Sequence, residues 1–208
     1  MAQFFEIHPQ NPQARLVRQA VDIIRGGGLI AYPTDSSYAL GCQLEDKSAV
    51  ERIRAIRKLD RHHNFTLMAA DLKQISQFAK IDNEQFRLLK TLTPGPYTFI
   101  FAAKRAVPNR LIHPKRKTIG VRIPDSNIVR ELVSELGEPI MSSSLILPGN
   151  SIPLSDALQI RQLLEHSIDL VIDGGPSNSL PSTVLDWHGP NLKIMREGAG
   201  DVAFLSQG

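Results

Sequence analysis

The chain has 208 residues, 42% of them apolar and 22% charged, which is the profile of a folded globular protein of one domain, residues 1–208, and excludes a disordered or fibrous chain. No apolar run approaches the ~20 residues of a membrane-spanning helix, and a single cysteine excludes a disulfide framework, so no membrane partner is expected and a cytoplasmic setting fits. The net charge of +3 hides an uneven distribution: half of the 24 lysines and arginines fall in residues 52–63 and 104–122, with Asp60 the only acid between those bounds.

Taken in order, the N-terminal Met-Ala-Gln-Phe-Phe-Glu lacks the basic and apolar parts of a leader. Residues 13–25 place Leu16, Val17, Ala20, Val21, Ile23 and Ile24 at helical spacing, and Gly26–Gly28 stop that helix. Leu29–Tyr32 is too short for a helix and predicts a buried strand, ended by Pro33. A polar loop, Thr34-Asp-Ser-Ser-Tyr38, follows at the strand's carboxyl end, where open α/β sheets bind ligands. Cys42 has apolar neighbours and reads as a core residue. Asp46 predicts the cap of a helix over 47–58. Val50 and Ile53 mark its apolar face, and Arg57 continues that face. An inward arginine costs stability unless it meets an anion, so Arg57 is expected to point into a site, with Arg61 one turn beyond.

Phe65–Ala69 predicts the next strand, followed by a helix over 72–79 capped by Asp71 and another over 83–92. Tyr97–Ala102 is rich in aromatic and β-branched residues and predicts a strand. A basic loop, 104–117, leads to a strand over 118–123. Ser126 is expected to cap a helix over 127–136 closed by Gly137, and Ile140–Met141 to begin a strand that runs into Ser142–Ser144. Ser155 is the expected cap of a helix over 155–165. Leu170–Ile172 and two late strands around 181–187 and 192–197, joined across His188-Gly-Pro190, complete an α/β (α+β-like) chain with one mixed sheet.

Several chemistries have no motif here. There is no P-loop and no Gly-x-Gly-x-x-Gly after a strand. No metal-ligand spacing is present and the expected metal set is none; no Gly-x-Ser-x-Gly elbow occurs. Adjacent His62 and His63 read as facing solvent or a phosphate. What remains is a set of polar groups at strand ends: Thr34, Arg57, Arg122, Ser142, Ser144, Ser182 and Arg196. Hydroxyls and guanidiniums together suit a phosphate-like anion. The two basic segments would make a surface for phosphates or nucleic acid if the fold joins them, and two solvated faces if it does not.

These residues also carry a resemblance. Tyr-Pro-Thr-Asp-x-x-Tyr-x-Leu-Gly over 32–41, Pro94-Gly-Pro-Tyr-Thr98, Ile119-Gly-Val-Arg-Ile-Pro124, Ser142-Ser-Ser144 with Gly149, Pro181-Ser-Thr-Val184 and Met195-Arg-Glu-Gly198 resemble, in this order, the YrdC-like family. Asn64-Phe-Thr-Leu-Met68 and Thr34-Asp-Ser36 resemble its YciO branch. The resemblance implies a single twisted mixed sheet flanked by helices with a concave positive face, and a cavity that makes threonylcarbamoyl-AMP from threonine, bicarbonate and ATP with Mg²⁺ for tRNA modification. It implies binding of double-stranded RNA or tRNA as well. By motif position, Thr34, Arg122, Ser142 and Ser182 would surround threonine, and Thr118, Ser144 and Arg196 would lie on the ATP or AMP side; Arg57 and Arg61, read from the helix face, are expected to bind its phosphates. Arg54, Lys58, Lys115, Arg116 and Lys117 are the basic residues expected to face RNA.

The sequence departs from that family at two places. The enzymes' Lys-x-Arg-Pro corresponds here to Arg57-Lys-Leu-Asp60, and their Ser-x-Asn to Ser144-Leu-Ile146. Losing one transition-state donor typically costs ~10²–10³ in rate. Two readings therefore stand: a synthase of weak or altered activity, or an RNA-binding protein without efficient catalysis.

Overall fold

The computed structural model describes residues 1–60 and 62–203; Arg61, one of the expected phosphate ligands, lies outside them. The chain runs β1 (Gln3–Glu6), α1 (Ala14–Arg25), β2 (Ile30–Tyr32), β3 (Ala39–Cys42), α2 (Lys47–Arg57), β4 (Thr66–Met68), α3 (Leu72–Phe78), α4 (Asn83–Leu92), β5 (Tyr97–Ala102), β6 (Thr118–Arg122), α5 (Asn127–Leu136), β7 (Ile140–Ser144), α6 (Ala157–Leu164), β8 (Leu170–Asp173), β9 (Thr183–Asp186) and β10 (Lys193–Arg196). Among the described residues no helix is long and apolar enough to cross a membrane.

Side-chain caps start several helices. Asp46, Asp71 and Ser126 each accept a first-turn backbone N–H, from Ala49, Gln74 and Val129. Asp82 and Gln85 form a reciprocal capping box on α4. At α6 the cap is Asp156 and not Ser155: its carboxylate accepts the Gln159 N–H at 2.7 Å. A charged acceptor is favoured over a neutral hydroxyl at the positive end of the helix dipole.

The strands form one mixed, twisted sheet in the order β1-β8-β2-β3-β7-β4-β6-β5-β9-β10. The pairs β1/β8, β2/β8, β4/β6 and β5/β9 are parallel and the other ladders antiparallel. Two strands are absent from the sequence reading. One is β1, a four-residue edge. The other is β3, Ala-Leu-Gly-Cys, which is buried along its whole length and so lacks the polar alternation that marks a half-exposed strand. Gly41 in β3 is required by close approach: a Cβ there would lie 2.6 Å from the Tyr32 ring and 2.7 Å from Ile140 Cγ2. Cys42 is buried in the core, and burial pushes its thiol up to about 12.

Alternation along the strands gives the sheet two faces. Helices α2, α3, α4 and α6 cover one, packing on Leu40, Leu67, Phe99, Phe101, Val121 and Leu185. Helices α1 and α5 cover the other, but only over β8, β2, β3 and the near ends of β7 and β4, through Ile30, Tyr32, Ile140 and Ile172. On that same face β5, β6 and β9, with Ser182 just before β9, present Thr98, Ile100, Thr118, Gly120, Arg122, Ser182 and Val184, alternating with the residues buried below. Among the described residues no helix packs on this half of the face, and it positions the site.

Candidate functional site

A cavity of about 320 Å³ opens on this face and extends over the ends of β4 and β7. Two arginines, Arg57 and Arg196, reach it, with the hydroxyls of Thr66, Thr98, Ser143, Ser144 and Ser182, the amide of Asn64 and the imidazole of His63. Ile100, Val184 and Met195 add an aliphatic strip, and no Asp or Glu among the described residues lines it.

Arg57 is the last residue of α2. Its Nε donates to the Ile146 carbonyl at 3.1 Å and its Nη1 to Ser143 Oγ at 2.5 Å. Burial lowers its pKa to about 10, and Arg196 pushes it the same way. Arg196 ends β10 and clamps the Ser182 carbonyl with Nε at 3.0 Å and Nη2 at 2.8 Å. Its pKa is lowered by burial first and by Arg122 second. Two guanidiniums thus lie part-buried at one cavity, and among the described residues only neutral acceptors are bound to them. An anion there would offset the desolvation of both.

Beneath the cavity, Ser182 Oγ and Thr98 Oγ1 are 2.8 Å apart. Arg122 is buried and pairs with Asp35, while its Nε has no partner among the described residues. Burial lowers the Arg122 pKa and the Asp35 carboxylate holds it up. Asp35 also accepts the Asp125 N–H at 3.0 Å, so both its oxygens are engaged.

Of the residues singled out in the sequence, the structure brings Arg57, Ser144, Ser182 and Arg196 into one wall. Thr118 lies just below, its hydroxyl 3.4 Å from Asn64 Oδ1. Thr34 and Ser142 lie elsewhere. The Thr34 hydroxyl closes its own turn, donating to the Ser37 carbonyl at 2.7 Å, and it borders a separate cleft of about 280 Å³ with Asp35 and Ser126. Ser142 is buried against Tyr32, hydroxyl to hydroxyl at 2.7 Å. Asn64, Thr66, Thr98 and Ser143 line the cavity without having been assigned to it from the sequence, and His63, read as facing solvent or a phosphate, lines it too. Thr66 and Thr98 carried a usable signal, being hydroxyls on strands whose alternate residues are large and apolar.

The two basic segments do meet. Arg54 Nη2 lies 3.4 Å from the Arg110 carbonyl, and the rings of His62 and His113 are 5.7 Å apart. Arg54 itself is largely covered, over the Phe65 ring at 4.7 Å and bonded to the Asp60 carbonyl at 2.8 Å. Arg116 pairs with Asp186 at 3.0 Å. Lys58, Lys115 and Lys117 are exposed.

The fold is thus an α/β one, a mixed twisted sheet with flanking helices, and guanidiniums and hydroxyls gather at a cavity on one half of a sheet face. Residues 22–198 match the Sua5_yciO_yrdC family model, whose description reads "Telomere recombination", and the chain belongs to that family. YciO of Escherichia coli (strain K12) is 52% identical over 202 residues, 97% of this chain and 98% of that protein. The crystal structure of E. coli YciO matches with a TM-score of 0.95, covering 98% of both chains. The threonylcarbamoyl-AMP synthase of Vibrio vulnificus (strain YJ016) is 30% identical over 161 residues, 76% of this chain and 86% of that one. P. abyssi Sua5, solved in complex with L-threonine, matches with a TM-score of 0.86 at 27% identity, over 94% of this chain and 57% of that chain.

Proposed function

We propose that the cavity binds the phosphates of ATP or AMP, and that the protein is a cytoplasmic nucleotide-binding member of this family that makes threonylcarbamoyl-AMP slowly from threonine, bicarbonate and ATP. The observation that carries this reading is the pairing of Arg57 and Arg196 at a cavity with no carboxylate in its described wall. Because the wall offers no acid, Mg²⁺ would arrive on the nucleotide, held by phosphate oxygens and water, as its preference for oxygen ligands allows. The aliphatic strip beside Arg196 suits a base or ribose, and Ser182 with Thr98 suits a small hydroxylated amino acid.

Low turnover follows from what stands where the family's enzymes carry Ser-x-Asn. Leu145 is buried in the core, and Ile146 contributes only its carbonyl, which fixes Arg57. Neither offers a donor to a developing charge. Positioning and charge neutralisation by Arg57 and Arg196 remain.

Purified protein incubated with ATP, Mg²⁺, bicarbonate and threonine is expected to bind ATP by calorimetry and to release pyrophosphate slowly, with threonylcarbamoyl-AMP as the co-product. Arg196→Ala should lower both ATP affinity and pyrophosphate release at least ~10-fold, the scale of a lost charged hydrogen bond. Absence of ATP binding by the unsubstituted protein would remove the nucleotide reading.

A second reading, double-stranded RNA or tRNA binding without efficient catalysis, is supported by the meeting of the two basic segments at Arg54–Arg110 and His62–His113.

A further inference from the structure

His63 is a half-buried imidazole in a wall that already holds two guanidiniums. Its Nε2 is 3.4 Å from Ser143 Oγ, and that oxygen is 2.5 Å from Arg57 Nη1. The direction of the Arg57 bond is forced, and that of the His63 contact follows the ring tautomer. A guanidinium only donates, so Ser143 Oγ accepts from Arg57 and has its own proton free to give. Neutral His63 can accept that proton at Nε2, which places the ring hydrogen on Nδ1.

If Nε2 gains a proton, the contact survives with its direction reversed. His63 then donates to Ser143 Oγ, and the serine hydroxyl hydrogen turns away from the ring. Ser143 lines the cavity, so that hydrogen becomes available to a ligand. One added proton therefore gives the wall a third positive charge and a further donor, with no hydrogen bond lost. In the free protein that state is disfavoured. Burial and the charges of Arg57, Arg54 and Arg196 push His63 down to about 4, and Asp60 opposes them. The Phe65 ring, 5.5 Å away edge-on, adds no charge. A bound anion would oppose the repulsion from these guanidiniums.

We propose that His63 is the conditional cation of this cavity, taking up one proton at Nε2 when a phosphate-like anion binds between Arg57 and Arg196. This rests on the anion reading given above and specifies how the site adjusts its charge to its ligand. The proton comes from solvent and returns there on release; no covalent bond is made or broken.

The test uses inorganic sulfate, which keeps its charge between pH 5.5 and 7.5, whereas nucleotide phosphates titrate in that range. If the anion restores His63 to an ordinary value near 6.5, sulfate should bind about tenfold more tightly at pH 5.5 than at pH 7.5. Affinity is read by calorimetry on the full chain, with circular dichroism confirming the fold at both pH values. The neutral variant His63→Gln should bind sulfate with an affinity independent of pH over this range, apart from the small contribution of other histidines. The His63 Cε1–H resonance of the unsubstituted protein should move downfield as sulfate is added at pH 5.5. Sulfate binding that is independent of pH in the unsubstituted protein, or that keeps the same tenfold dependence in His63→Gln, overturns the role of His63 and leaves the anion cavity standing. No sulfate binding at either pH overturns both.

Discussion

Arg122 is 3% exposed and its partner Asp35 11% exposed, so the pair has left water almost entirely. A guanidinium in that position keeps its charge because one carboxylate faces it. Breaking a buried pair from one side leaves an uncompensated charge, which costs about 3–5 kcal/mol. Asp35→Ala is therefore expected to lower unfolding stability by that amount, measured by urea denaturation near neutral pH. The double variant Asp35→Ala/Arg122→Met, which removes both charges, should recover more than half of the loss. A single variant as stable as the parent would mean that Arg122 finds another anion or reaches water. The same residue illustrates how function reads through the sheet: Arg122 also depresses the Arg196 pKa, so the buried pair and the cavity share one electrostatic environment.

At the scale of elements, β10 carries Arg196, and its approach to β9 depends on Gly198. A Cβ at Gly198 would run into the Pro181 carbonyl oxygen and stand 2.7 Å from the Ser182 carbonyl carbon. All of these are backbone atoms, so no rotamer change can make room. Gly198→Ala should push the strand end away from Ser182, whose carbonyl Arg196 clamps, costing about 1–3 kcal/mol of stability and weakening ATP binding. Gly189→Ala, in the β9–β10 connection with nothing within 4 Å of its Cβ position, is the control and should leave melting temperature and affinity unchanged. Equal effects of the two substitutions would show that β10 is not held by this contact. The same element explains how far the sequence could be read. Helical periodicity and acidic caps are local signals, and α1 to α5 are found within a residue or two of their expected bounds. Strand β3 is not, because a strand buried on both faces shows no alternation and Gly41 is justified only by Tyr32 and Ile140 arriving from β2 and β7. Arg57, Ser182 and Arg196 were legible as polar groups ending apolar elements. Ser142 was not separable from them, because its partner, the Tyr32 hydroxyl, lies 110 positions away and meets it only after three strands are laid side by side.

Over the whole molecule, the charge runs that dominate the sequence are partly neutralised by acids from distant segments. Arg52 pairs with Asp169 at 2.8 Å, Arg110 with Glu45 at 3.2 Å and Arg116 with Asp186 at 3.0 Å. Asp186 is 4% exposed, so Arg116 serves to anchor the basic loop to β9 more than to present charge. Lys104, Arg105, Lys115 and Lys117 of that loop are exposed, and Lys115 and Lys117 flank the anchored Arg116 as groups that could meet a polyanion. If double-stranded RNA docks on this surface, its affinity should fall steeply with salt, because each neutralised phosphate releases condensed counterions. Lys115→Gln/Lys117→Gln should then reduce the slope of log affinity against log salt by about two, one for each lost phosphate contact. Sequence preference should not change, since lysine–phosphate contacts position a duplex without reading it. Arg196→Ala provides the contrast: a cavity residue should alter nucleotide binding and leave the salt slope for RNA as it was. An unchanged slope in the lysine variant would exclude Lys115 and Lys117 as contacts to RNA phosphates.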